Sequence, residues 1–294
     1  MNAHATVGGQ ALTAPHSTGS APPSFALPLG ATDCHHHILD PKYSPAHGAS
    51  AIVATVDDYD IFKRRLGLSR SVVIAPSTHG ADNTCLLNAL ERFGDVARGV
   101  AIVTNAVTTG ELRELHRRGV RGIRLYLGKG TPPTADEVRA HAARIADLGW
   151  HIQIVAARHA PLLAPVEVLL GSLPCTVVVD HLGYVPQPAG NQHSEAEVLR
   201  RLVDTGRVWV KLSGVYIRSM VGYPTYSDVD ELASALVKYA PDKMLWGTDW
   251  PHPAAEPVKP DGAKLIEQLA RWAPDQNVRD CILVDNPQQV YWYD

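Results

Sequence analysis

Asp33, His35 and His37 in "TDCHHHIL", His181 in "VVVDHLG" and Asp249 in "LWGTDWPHP" are the side chains of this sequence best suited to do chemistry together. On a β-strand, alternate residues share a face, so Asp33, His35 and His37 are expected on one side and Cys34 and His36 on the other, with Asp33 the deepest. By the same alternation His181 follows the face of Val177 and Val179, and Asp249 that of Leu245 and Gly247. Three imidazoles and a carboxylate meeting in one place suit a divalent ion such as zinc, or an acid–base network around a carbonyl. Taken singly, each is ordinary. A lone histidine at a strand end is usually a satisfied core or surface residue, an aspartate after Gly-Thr is often a turn or cap, and His4, His16, His36 and His193 read as structural or solvated. Their joint position at equivalent strand ends carries the reading.

The elements that must position them repeat one phrase from Ala31 onward: a short β-branched run, a polar loop, then a stretch with helical apolar spacing. Eight such runs are present: "TDCHHHIL", "SVVIAPS", "ARGVAIV", "VRGIRLYL", "WHIQIVA", "TVVVDHLG", "RVWVKLSG" and "KMLWGTDW". Helices are predicted between them at Asp57–Leu66, Asp82–Phe93, Thr109–Arg118, Thr134–Leu148, Ser194–Thr205, Asp228–Tyr239 and Gly262–Trp272, several opening on a capping Asp, Ser or Thr. Alternating strands and helices imply parallel pairing, and eight units of this size match a (β/α)₈ TIM barrel of the α/β class, whose chemistry gathers at the C-terminal ends of the strands. A doubly wound open sheet is the rival, but no Gly-x-Gly-x-x-Gly follows the first strand.

Composition narrows the function. The chain of 294 residues is 45% hydrophobic and 19% charged, enough for a sizeable core, and its formal net charge of −3 offers no basic field for nucleic acid or an anionic membrane. Cys34, Cys85, Cys175 and Cys281 lack CxxC spacing, which fits a reducing, cytoplasmic setting. No apolar run reaches the roughly 18 residues that a membrane span needs. Residues 1–28, rich in Ala, Ser, Thr, Pro and Gly, read as a disordered or loosely attached tail, with residues 29–294 forming the barrel.

With "DCHHH", "VVDHLG" and "WGTDWPHP", joined by "STHGADN" and "RGIRLYL", the sequence resembles the amidohydrolase superfamily. The branch is that of the 2-pyrone-4,6-dicarboxylate lactonases, sulfomuconolactone hydrolases and galactarolactone isomerases. The resemblance implies a distorted (β/α)₈ barrel in a single domain and, in this branch, either one zinc-like metal held by His35, His37, His181 and Asp249 or no metal at all. The bridging lysine or glutamate on strand 4 and the strand 5 histidine of two-metal relatives have no counterpart in "RGIRLYL" and "IQIVA".

The leading expectation is hydrolysis of a small carboxylated lactone, in aromatic or sugar-acid catabolism. Asp249 would be the general base, and His35, His37 and His181 would polarise the carbonyl, directly or through a metal. Arg124, inward on strand 4 beside Gly122 and Tyr126, is expected to bind a substrate carboxylate bidentately, the alternative being an internal salt bridge. Further substrate contacts are expected from Ser77 and His79 after strand 2, Lys129 after strand 4, Tyr184 after strand 6, Tyr216 and Arg218 after strand 7, and His252 after strand 8. Lys211, inward on "WVKLSG", either supports the site or pairs with Asp33. Relative to the pyrone lactonase pattern, Gly130 and Tyr184 stand in place of arginines and Val155 in place of a tyrosine, which moves weight toward muconolactone or sugar-acid substrates. Lactone isomerisation, metal-dependent non-oxidative decarboxylation and a non-catalytic binding barrel are the alternatives.

Overall fold

In the computed structural model, which describes residues 13–43, 52–128, 131–156, 163–255 and 257–293, the alternating pattern folds as a ring of eight parallel strands in the order β1 to β8. The strands are β1 (Thr32–His36), β2 (Arg70–Ile74), β3 (Ala97–Ala101), β4 (Val120–Tyr126), β5 (His151–Val155), β6 (Thr176–Val179), β7 (Val208–Leu212) and β8 (Met244–Trp246). The connecting helices start where capping chemistry predicts. Helices α1 (Val56–Leu66), α2 (Thr109–Arg117) and α3 (Ala135–Ala146) each open on a reciprocal capping box, Thr55 with Asp58, Thr108 with Glu111 and Thr134 with Glu137. Removing one such cap by Thr55→Ala is expected to cost about 1 kcal/mol, read as a lower urea midpoint with an unchanged slope.

Two apolar layers hold the ring together. Outward-facing residues such as Ile123, Ile152, Val177, Val179 and Val210 pack under the helices. Val72, Ile74, Val100, Val178, Trp209 and Leu245 fill the barrel with Tyr291. The ring closes through backbone bonds rather than a long β8–β1 ladder: Asp249 N donates to His35 O at 2.8 Å, and His37 N to Trp250 O at 2.8 Å. The seam therefore lies beside the paired histidines.

The first strand departs from simple alternation. Asp33 pairs with Ser71 but His36 pairs with Val73, so β1 carries one extra residue, a β-bulge. Asp33 does not lie beneath the histidines as expected. It turns outward, where its carboxylate accepts from Tyr59 Oη on α1 at 3.0 Å and from Thr248 N at 2.9 Å and Thr248 Oγ1 at 2.6 Å. His36 also faces α1, stacked on Tyr59 at 3.6 Å, while Cys34 packs inside the barrel. The bulge returns His35 and His37 to the interior side.

Of the expected tail, residues 1–12 lie outside the described residues, but from Thr13 on the segment is seated rather than loose. Trp250 Nε1 donates to Pro15 O at 2.9 Å, Gly262 N donates to Ser17 Oγ at 3.0 Å, and Arg65 Nη2 donates to the same hydroxyl at 2.8 Å. These backbone and hydroxyl contacts ask nothing of hydrophobic patterning, which is why composition alone misreads the segment. Among the described residues, no helix is long and apolar enough to cross a membrane.

Candidate active site

At the C-terminal end of β1, His37 Nδ1 lies 2.8 Å from Ile74 O. Only an N–H can make that bond, so in the neutral ring it is Nε2 that carries the lone pair. His37 Nε2 lies 3.3 Å from His35 Nε2, and each lies 3.5 Å from Asp249 Oδ1. The other oxygen of Asp249 accepts from Tyr216 Oη at 2.5 Å. Gly247 allows this approach: a Cβ there would come within 2.7 Å of the His35 Cβ.

His181 arrives by a different route from the one strand alternation predicts. Strand β6 stops at Val179, and Val177 and Val179 face the helices, not the barrel. The imidazole enters the site because the backbone takes a left-handed step, φ +52° at His181. Its Nδ1 then lies 2.9 Å from Ser213 Oγ and its ring 4.7 Å from that of His35. Tyr184, Asp249 and His252 also have positive φ, at +59°, +59° and +57°. Non-glycine residues held there cost about 1–3 kcal/mol each, and three of these four, His181, Tyr184 and Asp249, line one cavity.

Beneath the histidines lies a buried ionic knot that the sequence reading missed. Asp180 Oδ2 accepts from Arg124 Nη2 at 3.0 Å, Arg124 Nε at 3.2 Å and Gln153 Nε2 at 2.9 Å. Asp180 Oδ1 lies 3.3 Å from His35 Nδ1 and 3.6 Å from Lys211 Nζ. Lys211 also donates to Gln153 Oε1 at 2.7 Å, so its partner is Asp180 and not Asp33. A charged residue closing a run of valines was the available signal.

Burial is the largest influence on every one of these groups. It pushes His35 and His181 below the usual imidazole range, leaving them neutral, and Lys211 down to about 8. It would raise Asp180 and Asp249 as well. His35, Lys211 and Arg124 outweigh it at Asp180, and His181, His37 and His35 outweigh it at Asp249, so both stay ionised.

Other buried groups make the fold sensitive to acid. Burial pushes His151 and His252 down to about 3. An unfolded imidazole protonates near pH 6.5, so below that pH the unfolded chain binds more protons and each histidine removes about 1.4 kcal/mol per pH unit. Asp33, pushed up to about 6 by burial, acts with the opposite sign between about pH 6 and 4, because its native carboxyl keeps a proton that the unfolded one has lost. These three groups together are expected to remove about 2 kcal/mol between pH 7.5 and 5.5, measured by urea titration, with the buried His35 and His181 adding to the loss in the same direction. The His151→Gln variant is expected to lose about 1.4 kcal/mol less over the same interval.

The groups lie at the floor of a cavity of about 410 Å³. The profile of the amidohydrolase family matches residues 32–292, nearly the whole barrel. The chain belongs to the amidohydrolase family. This amidohydrolase is 36% identical over 292 residues to a 2-pyrone-4,6-dicarboxylate hydrolase of Comamonas testosteroni, covering 92% of each chain. It is 36% identical over 282 residues to a 4-sulfomuconolactone hydrolase of Rhizobium radiobacter, covering 92% of this chain and 93% of the other. A solved structure of an Agrobacterium tumefaciens protein superposes with a TM-score of 0.81 at 28% identity, covering 92% of this chain and 98% of that one.

Of the residues expected in the site of this amidohydrolase, His37, Ser77, Arg124, His181, Tyr184 and Asp249 line the cavity, and His35 is buried beneath its floor. Tyr216 stands behind Asp249, and His252 packs edge-on to Tyr216 at 5.7 Å, away from the lining. His79 is buried in the turn Ser77–His79, and Arg218 follows the turn Val215–Ile217; neither lines the cavity. Lys129 lies outside the described residues. Arg124 forms the internal salt bridge that was the alternative to carboxylate binding and still lines the cavity. Asp180 occupies its Nε/Nη2 edge, and Nη1 donates to Tyr126 Oη at 2.9 Å.

The donor set fits a divalent metal. Ligand atoms bound tetrahedrally at 2.0–2.1 Å lie about 3.3–3.4 Å apart, close to the 3.3, 3.5 and 3.5 Å triangle of His35, His37 and Asp249. His181 does not join that triangle; its ligand atom groups with those of His35 and Asp180. Of the four ligands expected from the sequence, three thus form one triangle and His181 stands beside it.

Proposed function

We propose that this amidohydrolase hydrolyses a small lactone bearing a carboxylate. The observation that carries the reading is the convergence, in one cavity, of the ionised Asp249, neutral imidazoles and the Arg124 guanidinium. The lactone hydrolases among its relatives support it. Water adds to the ring carbonyl carbon while Asp249 takes its proton. With Ser213 donating to His181 Nδ1, His181 Nε2–H faces the developing oxyanion and stabilises it. The ring C–O bond then breaks, the departing oxygen recovers a proton, and a new carboxylic acid ionises. A divalent ion held by His35, His37 and Asp249 would polarise the carbonyl and acidify the water. Tyr216 holds Asp249 in place, and Arg124 orients the substrate carboxylate.

The test is proton release in a weakly buffered indicator solution with carboxylated lactones, with the ring-opened acid followed by NMR. Steady acidification with matching product formation is expected. Ring rearrangement without acidification would point to an isomerase, CO₂ release to a decarboxylase, and no turnover to a binding protein. Metal content and activity after chelation separate the two routes. Loss restored by zinc marks metal assistance, and full retention marks the residues acting alone.

A further inference from the structure

Above its floor of His37, His181 and Asp249 the cavity has one consistently apolar flank, while the side across it is mixed, Arg124 standing beside Val155 and Ala156. In a ring ordered β1 to β8, β4 stands across the opening from β8, and the loops after β7, β8 and β1 form the wall facing it. The β4 side carries Arg124 and Tyr126, with Ser77 from the β2 side. The opposite wall is Leu39 and Ile52 between β1 and α1, Ile217 after β7, and Pro253 and Ala254 after β8. Among the described lining residues, Arg124 is the only lysine or arginine. Near the apolar wall, Lys259 Nζ is turned away, donating to His252 O at 3.0 Å and Ala255 O at 2.8 Å.

Resting on the lactone reading above, we infer that the substrate is amphipathic: its carboxylate is directed to the Arg124 side, and an apolar ring substituent is set against Leu39, Ile52 and Ile217. A second carboxylate on that flank would lose its water without meeting a donor among the lining side chains, whereas an alkyl group gains from leaving water. Polyhydroxylated rings are disfavoured for the same reason.

The test uses cyclic ethers, which contain no ester to hydrolyse. A tetrahydrofuran carboxylate with a methyl group on the far ring carbon is compared by calorimetry with one carrying a second carboxylate there. The methyl compound is expected to bind at least about tenfold more tightly. Equal or tighter binding of the dicarboxylate, or no binding of either at millimolar concentration, would overturn the inference. Ala254→Arg, at an exposed position of the wall, is expected to narrow the gap about tenfold; an unchanged gap would also overturn it. The ranking does not depend on turnover. Failure of proton release sinks the hydrolytic reading, and a reversed ranking with normal proton release sinks only the inference about charge.

Discussion

Asp249→Asn is expected to lower kcat/KM for lactone opening by at least about 10²-fold. The amide keeps the volume of the carboxylate and can still accept the Tyr216 hydroxyl through its oxygen, so the cavity keeps its shape. What it lacks is the ability to take a proton from attacking water. The backbone supports a clean experiment, since Asp249 N bonds to His35 O irrespective of the side chain and the seam between β8 and β1 survives the change. A loss confined to kcat, with an unchanged urea midpoint, assigns the effect to chemistry. Turnover within a few-fold of the parent would remove Asp249 from the role of base and leave it a structural acceptor for Tyr216.

The second large effect is on stability. Asp180→Ala should destabilise the fold by about 3–5 kcal/mol, because Arg124 and Lys211 would remain buried without their shared counter-ion. Both side chains of the Lys211–Asp180 pair are fully shielded from solvent, so surface screening does not discount the figure. Adding Lys211→Met to the same chain removes one of the two stranded charges and should recover part of the loss. Urea midpoints of the parent, single and double variants measure this directly. A single-variant loss under about 1 kcal/mol would mean that water or a rearranged side chain replaces the carboxylate, contrary to an ionic knot that braces the floor. Since Asp180 also bounds His35 and Arg124, the same variant should lose activity even where it remains folded.

The features legible in the sequence are those that local rules control. Period-two apolar runs and capped amphipathic segments place eight strands and most of the helices within a few residues of their observed bounds. Thr109 and Gly262 start α2 and α4 (Gly262–Trp272) as predicted. The short helix Glu167–Gly171 was missed, being too brief to show helical periodicity. His35, His37 and Asp249 were also legible, because strand ends in a closed parallel ring must share one mouth.

What the tertiary structure alone decided is finer, and in each case the reason is that alternation along one strand says nothing about its neighbours. The bulge in β1 exists because the seam with residues 248–250 fixes where His35 and His37 must point, and it sends Asp33 outward to Tyr59 and Thr248. His181 joins the site through a left-handed backbone step that the packing around Gly214 accommodates: a Cβ at that glycine would lie 2.5 Å from His181 Nδ1. Asp180, read past as part of a strand, is the charge on which Arg124, Lys211 and His35 converge, since three separate strands bring them to it. His79, Arg218 and His252 share loops with cavity residues yet do not line the cavity. A loop's course is set by what it packs on, so the residue types of this chain name the chemistry while the closure of the barrel selects which of them reach it.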